Sequence, residues 1–506
     1  MPRPTPPSPD RLSALDYSFL ALDSADAPLH VGWTMRFDGA PPSLAALRRH
    51  LDARLGFVPR FRRRVTIPAL GLGDPRWVDD PGFDIAHHVH ELTLAAPGGP
   101  AELRTLAGTL LSRPLDPGRP LWQLYLVRFP PTGSGGFAIV GQAHHALVDG
   151  IAAIEVAMLL FTPDPPAVPT GEDADWRPVA RPAPARAARA ALGVRAKTAV
   201  RLARENAPTP NVRGAAASVT SPTALREVAR RAAALPNELR EAAGGLDRLT
   251  SPVASTSLDR AVGPRRAVAY AQAPLDGLKA AGRRHSATLN DVLLTACSLA
   301  FGRALETAGE ATDQLRVLVP VSTREDDPAA LGNQISFIAV ELPVADSDAV
   351  SVLRTVRDRT RAAKAEASGD GSGPGIAQIM EAADLLPAQA AGAAARLAYG
   401  KAAFNAIVSN VPGPEIELSL LGRPLRSVHP AVPVAPGHAL SIGAISYLGR
   451  LHVGLYADAD ALPDLPSMGR DLERALDVLR VEAPVAPTPW SARARSRRTS
   501  GPVSRS

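Results

Sequence analysis

The stretch Gly136-Phe137-Ala138-Ile139-Val140-Gly141-Gln142-Ala143-His144-His145-Ala146-Leu147-Val148-Asp149-Gly150 decides how this chain is read. Its opening run, Gly136 to Ala143, is short, apolar and partly β-branched, the pattern of a buried strand. Ile151 to Phe161 follows with apolar residues at helical spacing, so the histidines stand where a strand ends and a helix begins. A rigid element there holds a side chain while the adjoining turn leaves it accessible, which suits chemistry. By itself, Asp149-Gly150 reads as a turn and helix cap, with Asp149 accepting the free N–H groups of the helix that starts at Ile151. A lone histidine is most often a satisfied structural residue. Zinc is poorly supported, with no His-Glu-x-x-His and a single cysteine. As a base, however, an unperturbed histidine titrates near pH ~6.5 and can take a hydroxyl proton at neutral pH.

Bulk properties bound the answer. With 506 residues, two domains are expected rather than one. A hydrophobic content of 45% is ordinary for a protein that buries real cores. One cysteine excludes an internal disulfide framework and points to a reducing compartment. No apolar run is long enough to span a bilayer, and the Pro-rich start, Met1 to Asp10, lacks the apolar stretch of a signal peptide. The expectation is a cytoplasmic protein, peripheral at most on the inner face of the cell membrane. The formal charge is +6, and the tail Ser491–Ser506 holds five arginines and no acidic residue. Without that tail the rest carries +1, which argues against a nucleic-acid-binding surface. The tail reads as disordered.

Toward the N-terminus, Leu12 to Leu22 has helical spacing and Leu29 to Phe37 alternates like a strand. A helix is expected over Ser43 to Leu55, followed by a basic patch, Arg60, Arg62, Arg63 and Arg64, which reads as a solvated face. Asp84 to Leu94 reads as a strand that contains a second pair, His87-His88. That pair has no Asp-Gly four residues on and is assigned a structural role. Pro114-Leu115-Asp116-Pro117-Gly118-Arg119-Pro120-Leu121-Trp122 breaks the preceding helix, and a strand follows from Trp122 to Arg128. A turn with a buried aromatic accounts for it.

Beyond the quoted stretch, Pro163 to Pro184 has the composition of a linker. Arg177 to Arg204 holds eight basic residues and no acidic one. A solvated helix is the plain reading and an interfacial helix on an anionic bilayer the functional one. A second globular pattern begins near Gly263. Val268 to Ala273 is a strand and Leu275 to Arg284 a helix. Ala287-Thr288-Leu289-Asn290-Asp291 leads into an apolar helix, Val292 to Leu305, with Cys297 in its core face. Thr288 or Asn290 can cap it. Strands are expected at Leu315–Val321, Ile335–Leu342 and Ala403–Ser409, the last ending in Asn410-Val411-Pro412-Gly413-Pro414. Ser368 to Gly375 is Gly-rich but lacks the ending of a P-loop. Gly437-His438-Ala439-Leu440-Ser441-Ile442-Gly443 is not a nucleophile elbow, because Ala439 stands where Gly-x-Ser-x-Gly needs glycine. Ser441–Tyr447 and Arg450–Tyr456 read as paired strands around Leu448-Gly449, and Ser467 to Leu479 as the closing helix.

His144-His145-x-x-x-Asp149-Gly150 resembles the motif of acyltransferases related to chloramphenicol acetyltransferase, peptide-synthetase condensation domains and plant CoA-dependent acyltransferases. The opening Leu12-Ser13-Ala14-Leu15-Asp16, Phe19-Leu20 and Leu29-His30-Val31-Gly32 narrows this. With Pro120-Leu121-Trp122, Asn290-Asp291 and Ser409–Pro414 in family order, the chain resembles the bacterial wax ester synthase/diacylglycerol acyltransferases over roughly Leu12 to Leu479. The resemblance implies that His145 is the general base and that His144, Asp149 and Gly150 hold its geometry. It also implies that Pro120, Leu121, Trp122, Asn290, Asp291, Ser409 and Asn410 lie on the substrate side, and that Arg324 is a salt-bridge partner for Asp149.

The implied fold is α/β, with two chloramphenicol-acetyltransferase-like domains of mixed sheets flanked by helices and a channel at their interface. Periodicity alone supports only two α/β halves and a linker. The expected divisions are a disordered 1–10, an N-terminal domain over 11–165, a Pro/Ala/Arg-rich connector over 166–260, a C-terminal domain over 261–482 and a disordered tail over 483–506. The implied reaction needs no cofactor or metal. It takes acyl-CoA as co-substrate and diacylglycerol or a long-chain alcohol as acceptor. Two other readings stay open: a related transferase for another alcohol or an amine, and a non-catalytic lipid-binding protein on the same fold.

Overall fold

A computed structural model describes residues 10, 12–67, 75–131, 135–148, 150–161, 176, 178, 253–322, 335–367 and 404–481. Asp149, Arg324, the Arg177–Arg204 stretch apart from Pro178, the Gly-rich 368–375 segment, the tail and all but Asp10 of the first ten residues lie outside the described residues.

The chain opens with α1 (Ala14–Leu22), whose cap is Ser13, its hydroxyl accepting the Asp16 N–H at 3.0 Å. Next come β1 (His30–Phe37), α2 (Leu44–Asp52), a short hairpin of β2 (Arg63–Thr66) and β3 (Arg76–Asp79), β4 (Val89–Thr93) and α3 (Pro100–Leu111). β5 (Trp122–Arg128), β6 (Phe137–His144) and α4 (Gly150–Phe161) complete the first half. The second half has β7 (Arg266–Pro274), α5 (Leu275–Arg284), α6 (Leu289–Ala308), β8 (Gln314–Ser322), β9 (Ile335–Pro343) and α7 (Ala349–Ala367). It ends with β10 (Ala406–Val411), β11 (Ser419–Leu420), β12 (Arg423–Ala431), β13 (Leu440–Tyr447), β14 (Arg450–Asp458) and α8 (Leu465–Val481). Every residue of β6 is buried, as its largely apolar run requires.

Two six-stranded sheets result. The first runs β11-β12-β1-β6-β5-β4 and the second β7-β14-β13-β10-β8-β9. Both are mixed: β4 pairs parallel to β5, and β10 parallel to β8 and β13, among otherwise antiparallel neighbours. Helices α5, α6, α7 and α8 cover one face of the second sheet. Val292, Leu293, Ala296, Cys297, Phe301, Val352, Leu353, Leu472 and Leu476 pack there in one buried cluster with strand residues such as Val317 and Val453.

The first sheet is not built from the first half alone. β11 and β12 cross over from the second half, and β12 pairs with β1 through Gly32–Ala431, Trp33–Pro430 and Met35–Val428. Pro424 and Pro430 argue against a strand on sequence pattern alone. β12 tolerates them near the sheet edge, where only the two-residue β11 lies beyond it.

Two glycines permit the halves to close. A Cβ on Gly454 of β14 would sit 1.8 Å from the Pro430 carbonyl oxygen, and one on Gly108 of α3 would sit 2.6 Å from the Arg266 carbonyl oxygen. Between them Arg266 of β7, its side chain fully buried, lies 3.6 Å from Asp458 and donates to the Asp26 carbonyl in the α1–β1 loop. Tyr456 donates to the Leu111 carbonyl at 2.9 Å. The second half thus grips the loop and helix that flank the histidine motif.

Candidate active site

The histidine motif is held by backbone first. His144 N–H donates to the Leu121 carbonyl and His145 N–H to the Leu29 carbonyl, both at 2.9 Å. Leu147 N–H then folds back on the His144 carbonyl at 2.8 Å, turning the chain out of β6 toward α4. Leu121 and Leu29 belong to the two segments of the sequence that flank the motif's neighbouring strands. Their carbonyls set where the two rings begin.

The rings then part. His144 is buried, 3% exposed. Its Nδ1 accepts the Ala146 N–H at 3.0 Å, so the neutral ring carries its proton on Nε2. That Nε2 lies 3.9 Å from Asp23 Oδ1, whose carboxylate receives the Leu29 N–H at 2.7 Å. Burial, reinforced by His30 and His145 nearby, pushes the His144 pKa down to about 3. Burial is also the main reason Asp23 is raised. His30, opposite His144 across β1 and β6, is likewise lowered to about 4, and donates Nε2–H to the Leu111 carbonyl at 2.8 Å.

His145 turns the other way. Its ring stacks on Phe19 of α1, centroids 4.0 Å apart at 24°, and it lines a large cavity. The space, counted out to the solvent at its mouth, is about 2050 Å³. α1 and α4, the cavity face of β1 and β12, and the ends of β10 and β13 enclose it, with Phe19, Trp33, Phe61, Trp122, Leu160 and Ile445 among the walls. Among the described residues, His145, Ser409 and Asn410 supply the polar side chains of a lining that is otherwise aliphatic, aromatic, proline or glycine. Such a site takes a long apolar ligand and presents it with one titratable ring.

Of the substrate-side residues expected from sequence, Trp122, Ser409 and Asn410 line the cavity with His145. Pro120 and Leu121 are buried beside it and do not line it. Asn290 and Asp291 lie elsewhere. Asp291 Oδ2 accepts the Thr288 N–H at 2.7 Å and its hydroxyl at 2.8 Å, closing a capping box on α6. Asp149 and its expected partner Arg324 lie outside the described residues, as do the side-chain surroundings of Gly150.

His87-His88 is not within a strand: a short 3-10 turn, Ile85–His87, precedes β4. Two arginines of the patch are ion-paired, Arg62 to Asp52 at 2.9 Å and Arg63 to Asp79 at 2.8 Å. Phe61, in the middle of that patch, turns into the cavity, a placement that charge patterning conceals. Trp33 and the β12 residues were also invisible, because only strand pairing brings them there. Cys297 is fully buried in α6, its thiol pushed up by burial. Ser441 is buried, donates to the Val432 carbonyl and does not itself line the cavity. Among the described residues no three metal-ligating side chains converge.

Model profiles of known families match most of the chain: the wax ester synthase/diacylglycerol acyltransferase catalytic domain over residues 12–293 and its C-terminal domain over 331–480. The chain belongs to this family. It is an acyltransferase, and its relatives agree. A probable diacylglycerol O-acyltransferase of Mycobacterium tuberculosis H37Rv is 30% identical over 476 residues, 92% of this chain and 95% of that one. A putative diacylglycerol O-acyltransferase of Mycobacterium bovis matches to the same extent.

Among solved structures, the wax ester synthase/diacylglycerol acyltransferase of Marinobacter aquaeolei VT8 has a TM-score of 0.64 at 22% identity, covering 94% of this chain and all of that one (100%). The first condensation domain of the CDA synthetase scores 0.53 at 16% identity, over 94% of this chain and 97% of that domain. At these identities the structures speak to the fold, which is the family's α/β fold of mixed sheets flanked by helices. Among the described residues no helix of this family member is long and apolar enough to cross a membrane.

Proposed function

We propose that the enzyme moves a fatty acyl group from acyl-CoA to diacylglycerol or a long-chain alcohol, forming triacylglycerol or a wax ester, with His145 as general base. One observation carries this reading: among the described residues, a single histidine ring lines a large cavity whose walls are otherwise almost wholly apolar. Two acyl chains need such walls, and a hydroxyl among them needs one base. His145 takes the hydroxyl proton as the oxygen attacks the thioester carbonyl. The C–S bond then breaks and the proton passes to the departing thiolate, leaving ester and free CoA. The oxyanion formed between these steps needs a donor, and Ser409 and Asn410 are the other polar side chains on the cavity wall among the described residues. Direct transfer suits a chain whose cysteine is sealed in α6 and whose Ser441 is bonded to backbone. His144 supports the base without touching substrate, its Nδ1 occupied by Ala146 N–H.

Thiol release from palmitoyl-CoA, with hexadecanol or a diacylglycerol as acceptor, tests the reading beside a folded His145→Ala variant. Acceptor-dependent release that collapses in the variant supports it and ranks the two alcohols. No acceptor-dependent release from folded, detergent-supported enzyme sinks both acceptors and turns attention to other alcohols and amines. Contact with a membrane or lipid droplet, from which such acceptors come, belongs to the same proposal.

A further inference from the structure

The second histidine pair lies off the cavity yet touches its wall through a column of rings. Trp122 of β5 pairs with Ala143, two residues before His145, and lines the cavity. His88 stacks on Trp122, centroids 4.6 Å apart at 18°, and donates Nδ1–H to the Trp122 carbonyl at 2.9 Å. Trp122 Nε1–H donates in turn to the Phe61 carbonyl at 2.8 Å. Phe83 stacks on His88 at 5.4 Å and 19°. Trp176, from the Pro-rich stretch between the halves, meets Phe83 edge-on at 6.1 Å and 74°. Arg62 closes that outer end, its guanidinium 5.7 Å from the Phe83 centroid and 5.3 Å from that of Trp176. The ion pair to Asp52 fixes the guanidinium.

We propose that Trp176 is a positioning residue for the cavity: seated on Arg62 and Phe83, it backs the Phe83–His88 stack that sets the plane of the Trp122 indole. Close-packed rings pass on a displacement rather than absorb it, so a change at Trp176 is felt at the cavity wall. The kinetic consequence rests on the proposed reaction, because Trp122 matters to turnover only if the cavity receives the lipid substrates. Base chemistry at His145 is left alone, so binding changes and the chemical step does not.

The test uses full-length enzyme labelled with 5-fluorotryptophan. The chain has 5 tryptophans, and a Trp122→Phe sample assigns the Trp122 resonance. In Trp176→Ala that resonance shifts. The KM for the lipid acceptor rises about three- to tenfold, the scale of losing one ring contact, while kcat holds within about twofold. Trp176→Phe restores both. A folded Trp176→Ala whose Trp122 signal stays in place, or whose KM is unchanged, overturns the proposal. Should Trp176→Ala not fold, the same two readouts on Phe83→Leu decide. The fluorine spectrum needs no turnover, so an inactive wild type counts against the reaction while the coupling is still judged from the spectrum.

Discussion

Two histidine pairs occur in one half of this protein, and they do opposite things. At 87–88 the first ring is exposed and the second buried; at 144–145 the first is buried and the second meets the cavity. His88 leans on Trp122 and gives its Nδ1–H to a carbonyl. His144 accepts an N–H at Nδ1 instead. The two buried rings are thus fixed as opposite tautomers, each by the backbone group it faces. Burial lowers the pKa of both, which makes each a weaker base than a free imidazole. What separates the pairs is where the chain goes next. After His88 it continues into β4, while after His144 it turns at once and presents His145 to open space.

That contrast can be broken by experiment. His145→Ala should lower turnover by about 10²–10⁴ with the fold intact, read as thiol release beside circular dichroism. His88→Ala should leave more than a hundredth of the rate, and an equal collapse in both variants would erase the distinction between them. Acid should act on the buried rings next. His30 and His144 protonate near pH ~6.5 when unfolded, but only near about 4 and about 3 in the fold. The unfolded chain therefore binds more protons in that window. Stability is full above pH ~6.5 and falls as pH drops toward 4, by roughly 1.4 kcal/mol per pH unit for each ring. Urea unfolding at pH 7 and pH 5 measures it, and a His30→Gln variant should flatten the slope.

His88→Ala should cost about 1–3 kcal/mol, through a lost ring contact and an unpaired Trp122 carbonyl, together with a weaker KM for the acceptor. His87→Ala should be the smallest change, within about 0.5 kcal/mol in urea unfolding, as for an exposed side chain. A large effect there would mean the exposed ring has work that its surroundings do not reveal.

Local patterns carried much of the fold. The expected strand Trp122–Arg128 and helix Leu275–Arg284 have the bounds they show in the structure, because period and breakers act over a few residues. β12 was missed for the complementary reason. Its prolines argue against a strand, and only the partner it finds at the edge of the other half's sheet makes one. Asn290-Asp291 shows the same limit at a site. A Thr288–Asp291 capping box is a local device, and the structure uses it as one, away from the cavity.

The sequence alone determined the family, the two α/β halves and the ring that turns out to face the cavity, since a strand, two histidines and a turn are written within fifteen consecutive residues. The cavity itself was decided by tertiary structure. Phe19, Phe61, Trp122, Ser409 and Pro430 come from five distant segments, and no local pattern encodes a shared space. They meet because β12 crosses between sheets and because Gly108 and Gly454 let backbones touch where any side chain would hold them apart.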